Sequence, residues 1–210
     1  MHRLLHILAQ ACSVLLHPLL MPTYGMVLFC CGIGHLNTRL PLAFTILAIT
    51  GTLFFTFFVP AAGIWYLWKT KRIDSLHIED PKQRTAPYIS TIMAYAFWTY
   101  FLHFLLQFPS FMSIVAIGAI IALVIVTFTN LKWKISAHLT GIGGLLGGVC
   151  SFALYYSTLP LGLVLTILAV SLILMYARLY LHAHTPLQVV CGLLLGLLST
   201  FIPNLIIYYA

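Results

Sequence analysis

The chain has 210 residues, 62% of them hydrophobic and only 6% charged, with a mean hydropathy of +1.06. That composition excludes a soluble domain and fits an integral membrane protein, long enough for one compact helical bundle with almost no extramembrane mass. The net charge of +7 sits one or two residues at a time at the ends of apolar runs, a membrane-topology pattern that excludes a nucleic-acid face.

A hydrocarbon core about 30 Å thick needs about 20 apolar residues of helix. By that measure the chain is an all-α polytopic transmembrane helical bundle of about six to seven spans, over 4–34, 40–68, 88–107, 110–129, 139–157, 160–177 and 186–209. The first run opens MHRLLHILAQ, loosely like a signal peptide, but no small-residue cleavage site follows and it is read as a retained span. His17-Pro18 and Met21-Pro22-Thr23 interrupt it, leaving two readings: one broken span, or a short surface helix leading into a span. Pro60 is expected to kink the second run. His17 and His103 lie inside spans and read as satisfied core histidines. Cys12, Cys30, Cys31, Cys150 and Cys191 all fall in apolar runs without metal-type spacing and read as buried small hydrophobes.

The connections are unequal. Those near 108–110 and 157–160 are short and uncharged, whereas Lys69 to Pro87 holds every acidic residue of the chain, Asp74, Glu79 and Asp80, beside Lys69, Lys71, Arg72, Lys82 and Arg84. The second polar junction is Lys132–Gly144, KWKISAHLTGIGG, and the third runs from Arg178 to Gln188. Two spans separate the first junction from the second and two more separate the second from the third. All three therefore emerge on one side of the membrane, where a single site can draw on them. Ser136 is placed to cap a helix beginning at Ala137, and Thr185-Pro186-Leu187-Gln188 has capping-box spacing with proline at the first helical position. Glycines 143, 144, 147 and 148 have the small-x3-small spacing of close helix packing. Free N–H groups at such helix starts favour an anion.

The three junctions, KQRTAP (82–87), KISAH (134–138) and ARLYLHAHTPLQ (177–188), resemble in order and spacing the three signatures of the type-2 phosphatidic acid phosphatase family, K-x6-R-P, P-S-G-H and S-R-x5-H-x3-D. Arg178 and His184 stand at the family's separation. Ser136 and His138 match the middle signature, with Ile135 and Ala137 in place of its proline and glycine. Arg84 matches the first, where His77 stands in place of the lysine and the proline comes at Pro87; Lys82 is the alternative lysine. Without that spacing, His182 and His184 are equally placed to act.

The resemblance divides the chain into an N-terminal broken or extra span (1–39) and a phosphatase-like core (40–210). It implies metal- and cofactor-independent hydrolysis of a lipid phosphate or diphosphate through a phosphohistidine. By that analogy His184 attacks phosphorus and His138 protonates the leaving oxygen and later activates water. Arg178, Arg84, Lys82 and Ser136 would hold the phosphate. Imidazoles suit nucleophilic and proton-transfer roles near neutral pH, and guanidinium forks match phosphate oxygens.

Gln188 stands where the family has an aspartate that orients the nucleophile. It reads either as the helix cap or as an acceptor that sets the histidine tautomer, with Asp80 as another candidate for orienting it. Lys132 and Lys134 read as topology residues or as ligand contacts. A metal or haem reading fails on the positive charge around the histidines and the lack of acidic or cysteine ligands beside them.

The partners implied are the lipid phosphate and the surrounding membrane lipids. The alternatives are a phosphotransferase of the same family, or a catalytically weak homologue or transporter. A bacterial inner (cytoplasmic) membrane is the expected location. The positive-inside rule sets nine basic residues on the site's side against Arg39 alone on the other and so turns the site to the cytoplasm, whereas many bacterial relatives act on the outer face.

Overall fold

The computed structural model describes residues 2–32, 40–75, 81–157 and 159–210. Asp80, His77, Glu79 and Arg39 fall outside them, and so does the side chain of Lys82. The described residues form helices and no strand: α1 (His2–Leu15), α2 (Met21–Val27), α3 (Leu42–Leu53), α4 (Val59–Lys69), α5 (Thr85–Tyr100), α6 (Ser110–Thr129), α7 (Ala137–Tyr156), α8 (Leu161–Tyr180) and α9 (Pro186–Tyr209). The protein is an all-α transmembrane bundle. Among the described residues six helical runs are long and apolar enough to cross a bilayer: Arg3–Cys31, Leu42–Lys69, Ser110–Thr129, Ala137–Tyr156, Leu161–Tyr180 and Pro186–Tyr209. The expected span at 88–107 corresponds to α5 and the π turn that follows it. That run is outside the six because threonine, tyrosine and tryptophan dilute its aliphatic content. Large apolar side chains such as Leu42, Phe128 and Leu172 point outward, as lipid-facing positions require.

The first run is broken where proline dictates. α1 ends at Leu15, and His17 is held extended (φ −64°, ψ 136°), as a residue before proline must be. Its Nδ1 accepts from Leu19 N at 3.3 Å to cap the short 3-10 turn Pro18–Leu20, and Tyr24 OH donates to the Leu15 carbonyl at 2.7 Å. After the break α1 packs on α8, while α2 packs on α3 and α7.

Among the described residues three π turns interrupt helical runs: Leu28–Gly32 in the first run, Phe54–Phe58 between α3 and α4, and Phe101–Leu105 after α5. The one before Pro60 explains how the helix continues past a residue with no N–H, since the wide turn rearranges the bonding there. His103 is satisfied in the core by Ser113 Oγ at 3.2 Å. No cysteine pairs in a disulfide, and the expectation of burial is corrected: Cys12, Cys30, Cys150 and Cys191 are half-buried and Cys31 faces outward.

The most extensive helix contact is the seam between α7 and α9. A methyl group at Gly143 would overlap the Leu193 carbonyl, one at Gly147 the Leu197 carbonyl, and one at Gly196 the Thr140 carbonyl. Backbones this close need glycine, and the hydroxyl of Thr200 adds a bond across the seam to the Gly144 carbonyl at 3.0 Å. Gly144 lies at the edge of the same seam, where a methyl would meet nothing closer than Thr200 Cγ2 at 3.6 Å, an ordinary contact.

Candidate functional site

α7 begins where its sequence says a helix should. Ser136 is extended (φ −83°, ψ 104°), and its Oγ accepts from Leu139 N at 3.5 Å. The Ser136 N–H donates to the Gln188 carbonyl at 3.3 Å, tying the first turn of α7 to that of α9. The hydroxyl is thus fully buried in the cap, and Ser136, expected among the phosphate contacts, does not line the cavity described below.

Arg178 occupies the last turn of α8, and the chain then reverses through His182, whose φ of 50° is left-handed. That turn leaves His182 exposed and carries His184 inward, which separates two residues of equal standing in sequence. α9 starts at Thr185 with a complete capping box. Gln188 Oε1 accepts from Thr185 N at 3.1 Å and lies 3.2 Å from His184 Nδ1. A backbone N–H can only donate, so the amide oxygen is fixed, and Nδ1 facing the same oxygen must carry the ring hydrogen. In the neutral ring the lone pair then lies on Nε2. Gln188 therefore makes both bonds for which it was a candidate. Burial pulls the His184 pKa down to about 4, and Arg178 and Lys134 push the same way. Hydrogen bonds to Gln188 and to the Lys134 main chain resist that fall.

His138 stands in the first turn of α7, and its Nε2 donates to the Ser13 carbonyl at 3.1 Å, placing the neutral ring's lone pair on Nδ1. The Ser13 hydroxyl accepts from Arg178 NH1 at 3.2 Å. The His17 ring meets the His138 ring edge-on, 5.6 Å between centroids. Arg178 Nε is buried without a hydrogen-bond partner among the described residues.

These groups share one cavity of about 630 Å³. Arg84, Lys134, His138, Arg178 and His184 line it, together with Ser13 and His17. Arg84 enters from the end of the 3-10 turn Pro81–Arg84, whose Gln83 is clasped to Asp74 by bonds of 2.6 and 2.9 Å. The cavity then continues between the helices along Trp98, Leu102, Met112, Gly144 and Phe29. Among the described residues no carboxylate lines it, and no three His, Cys, Asp or Glu side chains group as metal ligands. Three cationic side chains and three imidazoles instead make a seat for an anion.

The structure thus brings Arg84, His138, Arg178 and His184 together, keeps Gln188 directly behind His184, and leaves Ser136 in a cap. Lys134 joins the cavity while Lys132 is exposed outside it. Ser13 and His17 were missed as site residues. A histidine beside a proline break inside an apolar run is the signal that could have found His17, because polar groups at broken membrane helices commonly line a cavity. Ser13 carries no such signal. No family model, curated protein or solved structure matches the chain.

Proposed function

We propose that this protein is a lipid phosphatase of the bacterial inner membrane that hydrolyses a lipid phosphate or diphosphate monoester through a phosphohistidine at His184. The observation that carries this reading is one cavity with two neutral-tautomer imidazoles and three cations at its mouth and an apolar continuation within the bundle. Nε2 of His184 attacks phosphorus as the bond to the ester oxygen breaks. His138 Nδ1 passes the proton of the phosphate monoanion to that leaving oxygen, so an alcohol departs from a monophosphate and an alkyl phosphate from a diphosphate. Gln188 Oε1 accepts from Nδ1–H of the resulting phosphoimidazolium, and the cations hold the phosphoryl oxygens where charge develops. Water, deprotonated through His138, then displaces His184 and releases inorganic phosphate. The basic residues at this end of the bundle turn the mouth to the cytoplasm.

The test is phosphate release by purified protein from lipid phosphates with chelator present, combined with acid quench of radiolabelled substrate. An acid-labile, alkali-stable phosphoprotein that disappears in His184→Ala is the expected result. Turnover retained in both His184→Ala and His138→Ala would end this reading, and phosphate recovered on an added alcohol would make the protein a phosphotransferase.

A further inference from the structure

We infer that Ser13, at the C-terminal end of α1, is a positioning residue of the site: its carbonyl orients His138 and its hydroxyl holds Arg178. The span that the resemblance leaves outside the phosphatase-like core is then a working part of that core. For His138 this rests on the phosphate-ester reading above; for Arg178 it needs anion binding alone.

A helix end leaves its last carbonyls without N–H partners. The break at His17-Pro18 decides what becomes of those of α1. The Cys12 carbonyl accepts from Leu16 N at 2.9 Å and the Leu15 carbonyl from Tyr24 OH at 2.7 Å. The Ser13 carbonyl would take the His17 N–H if the helix ran on, but Pro18 holds His17 extended. His138 Nε2 meets it instead, at 3.1 Å and from 125 residues further along the chain. That bond keeps the ring hydrogen on Nε2 and leaves Nδ1 to carry the proton of the proposed reaction. The carbonyl end of a helix also bears negative partial charge. Among the described residues no carboxylate lines the cavity, so this end of α1 supplies the dipole that an imidazolium at His138 needs.

The hydroxyl is determined as closely. Ser13 Oγ donates to the Ala9 carbonyl at 3.0 Å, which leaves a lone pair for Arg178 NH1 at 3.2 Å. The segment is also seated firmly. α1 packs on α8, which carries Arg178, and the turn Pro18–Leu20 packs on α7. A methyl at Gly141, three residues beyond His138, would press on Pro18 and Met21, so α7 has a glycine where the break lies against it. The His17 ring, from the same segment, meets His138 edge-on.

The hydroxyl is tested by calorimetric binding of inorganic phosphate to the full-length protein in detergent. Ser13→Ala should weaken binding about three- to tenfold, the usual contribution of one hydrogen bond. Ser13→Cys, which keeps the volume but offers only a weakly accepting sulfur, should do the same, and Ser13→Thr should restore affinity. Wild-type affinity in the cysteine variant would overturn the hold on Arg178, because packing alone would then suffice. Absence of phosphate binding by the wild type would overturn it too.

The carbonyl is tested by replacing Val14 with 2-hydroxy-3-methylbutanoic acid, which turns the 13–14 amide into an ester and the Ser13 carbonyl into a poorer acceptor. We expect kcat to fall about tenfold, as for a hydrogen bond to a charged group, with KM nearly unchanged. The corresponding hydroxy acid at Leu8, on the exposed face of α1, gives the cost of an ester in this helix. In His138→Ala the Val14 exchange should cost no further rate, since the two changes act on one group. A fall no larger than that at Leu8, or a full further loss in His138→Ala, overturns the role at His138 while leaving the phosphatase reading in place. No phosphate release from any ester, with phosphate binding still dependent on Ser13, sinks the phosphatase reading and the role at His138 but keeps the hold on Arg178.

Discussion

The two walls of the cavity differ in how their helices are made. On one side α7 and α9 are unbroken, 20 and 24 residues long, locked backbone to backbone through Gly143, Gly147, Gly192 and Gly196. On the other, the runs containing α2, α3–α4 and α5 each carry a π turn, and the first is also broken at His17-Pro18. His138 stands at the capped start of α7, and His184 just ahead of that of α9, on the rigid wall. The irregular wall supplies much of the cavity's apolar lining. A site whose reacting groups must hold their geometry benefits from standing on the regular wall, because misplacement of the imidazoles costs rate steeply.

The most severe way to break this comparison is through the rigid wall's chemistry. His184→Ala should abolish phosphate release, and His138→Ala should reduce it by roughly 10²- to 10⁴-fold, the usual reach of a positioned acid–base group. Circular dichroism and detergent gel filtration would check that both variants stay folded. Equivalent losses from His182→Ala would show that the left-handed turn does not separate the two histidines in function.

The rigidity itself comes next. Gly196→Leu meets the Thr140 main chain, which cannot swing aside, so it should cost about 3 kcal/mol or more and lower the midpoint of detergent unfolding. Gly144→Ala has room and should be neutral or stabilising by up to about 1 kcal/mol, the helix preference for alanine. Equal behaviour of the two variants would mean that close backbone approach at Gly196 is no more demanding than the looser contact at Gly144.

That pair also marks how far the sequence could be read. Helix starts at Ala137 and Pro186 were legible because capping chemistry is local, one side chain and a backbone N–H three residues on. Counting spans placed three polar junctions on one face. The spacing of glycines 143, 144, 147 and 148 announced close packing, but it could not say that a methyl at 143 or 147 would strike the α9 backbone while one at 144 would find room beside it. Nor could it separate Lys134 from Lys132, since the irregular turn between α6 and α7 has no period from which to read direction. Ser13 was invisible for a stronger reason: its partners Arg178 and His138 lie 165 and 125 residues away in sequence, and only the fold joins them.

A charge placed behind His184 sharpens the comparison by pH. With its pKa lowered to about 4, His184 stays neutral through the weakly acidic range, so if it attacks phosphorus as proposed, the acid limb of kcat/KM that belongs to this residue should lie near that value. Gln188→Glu keeps the capping box but sets a carboxylate against Nδ1. An opposite charge at that distance favours the protonated ring and should raise its pKa by about 1–3 units. The ring then gains its proton at higher pH, and the acid limb must move upward. A limb that stays in place in the folded variant would mean that Gln188 caps α9 without reaching His184.

The smallest expected effect concerns Ser136, where the resemblance and the fold assign different work. Its Oγ is spent on the Leu139 N–H and its carbonyl on Thr140, and Ser136 does not line the cavity. Ser136→Ala should therefore cost about 1 kcal/mol of stability, the ordinary loss of an N-cap. Turnover should fall only as far as slackening of the first turn of α7 displaces His138. Ser136→Asn, which restores a capping acceptor, should recover the lost stability if the hydroxyl acts as a cap. A rise in KM for the phosphate ester with stability unchanged would return that hydroxyl to the phosphate and show that the first turn of α7 rearranges when the anion binds.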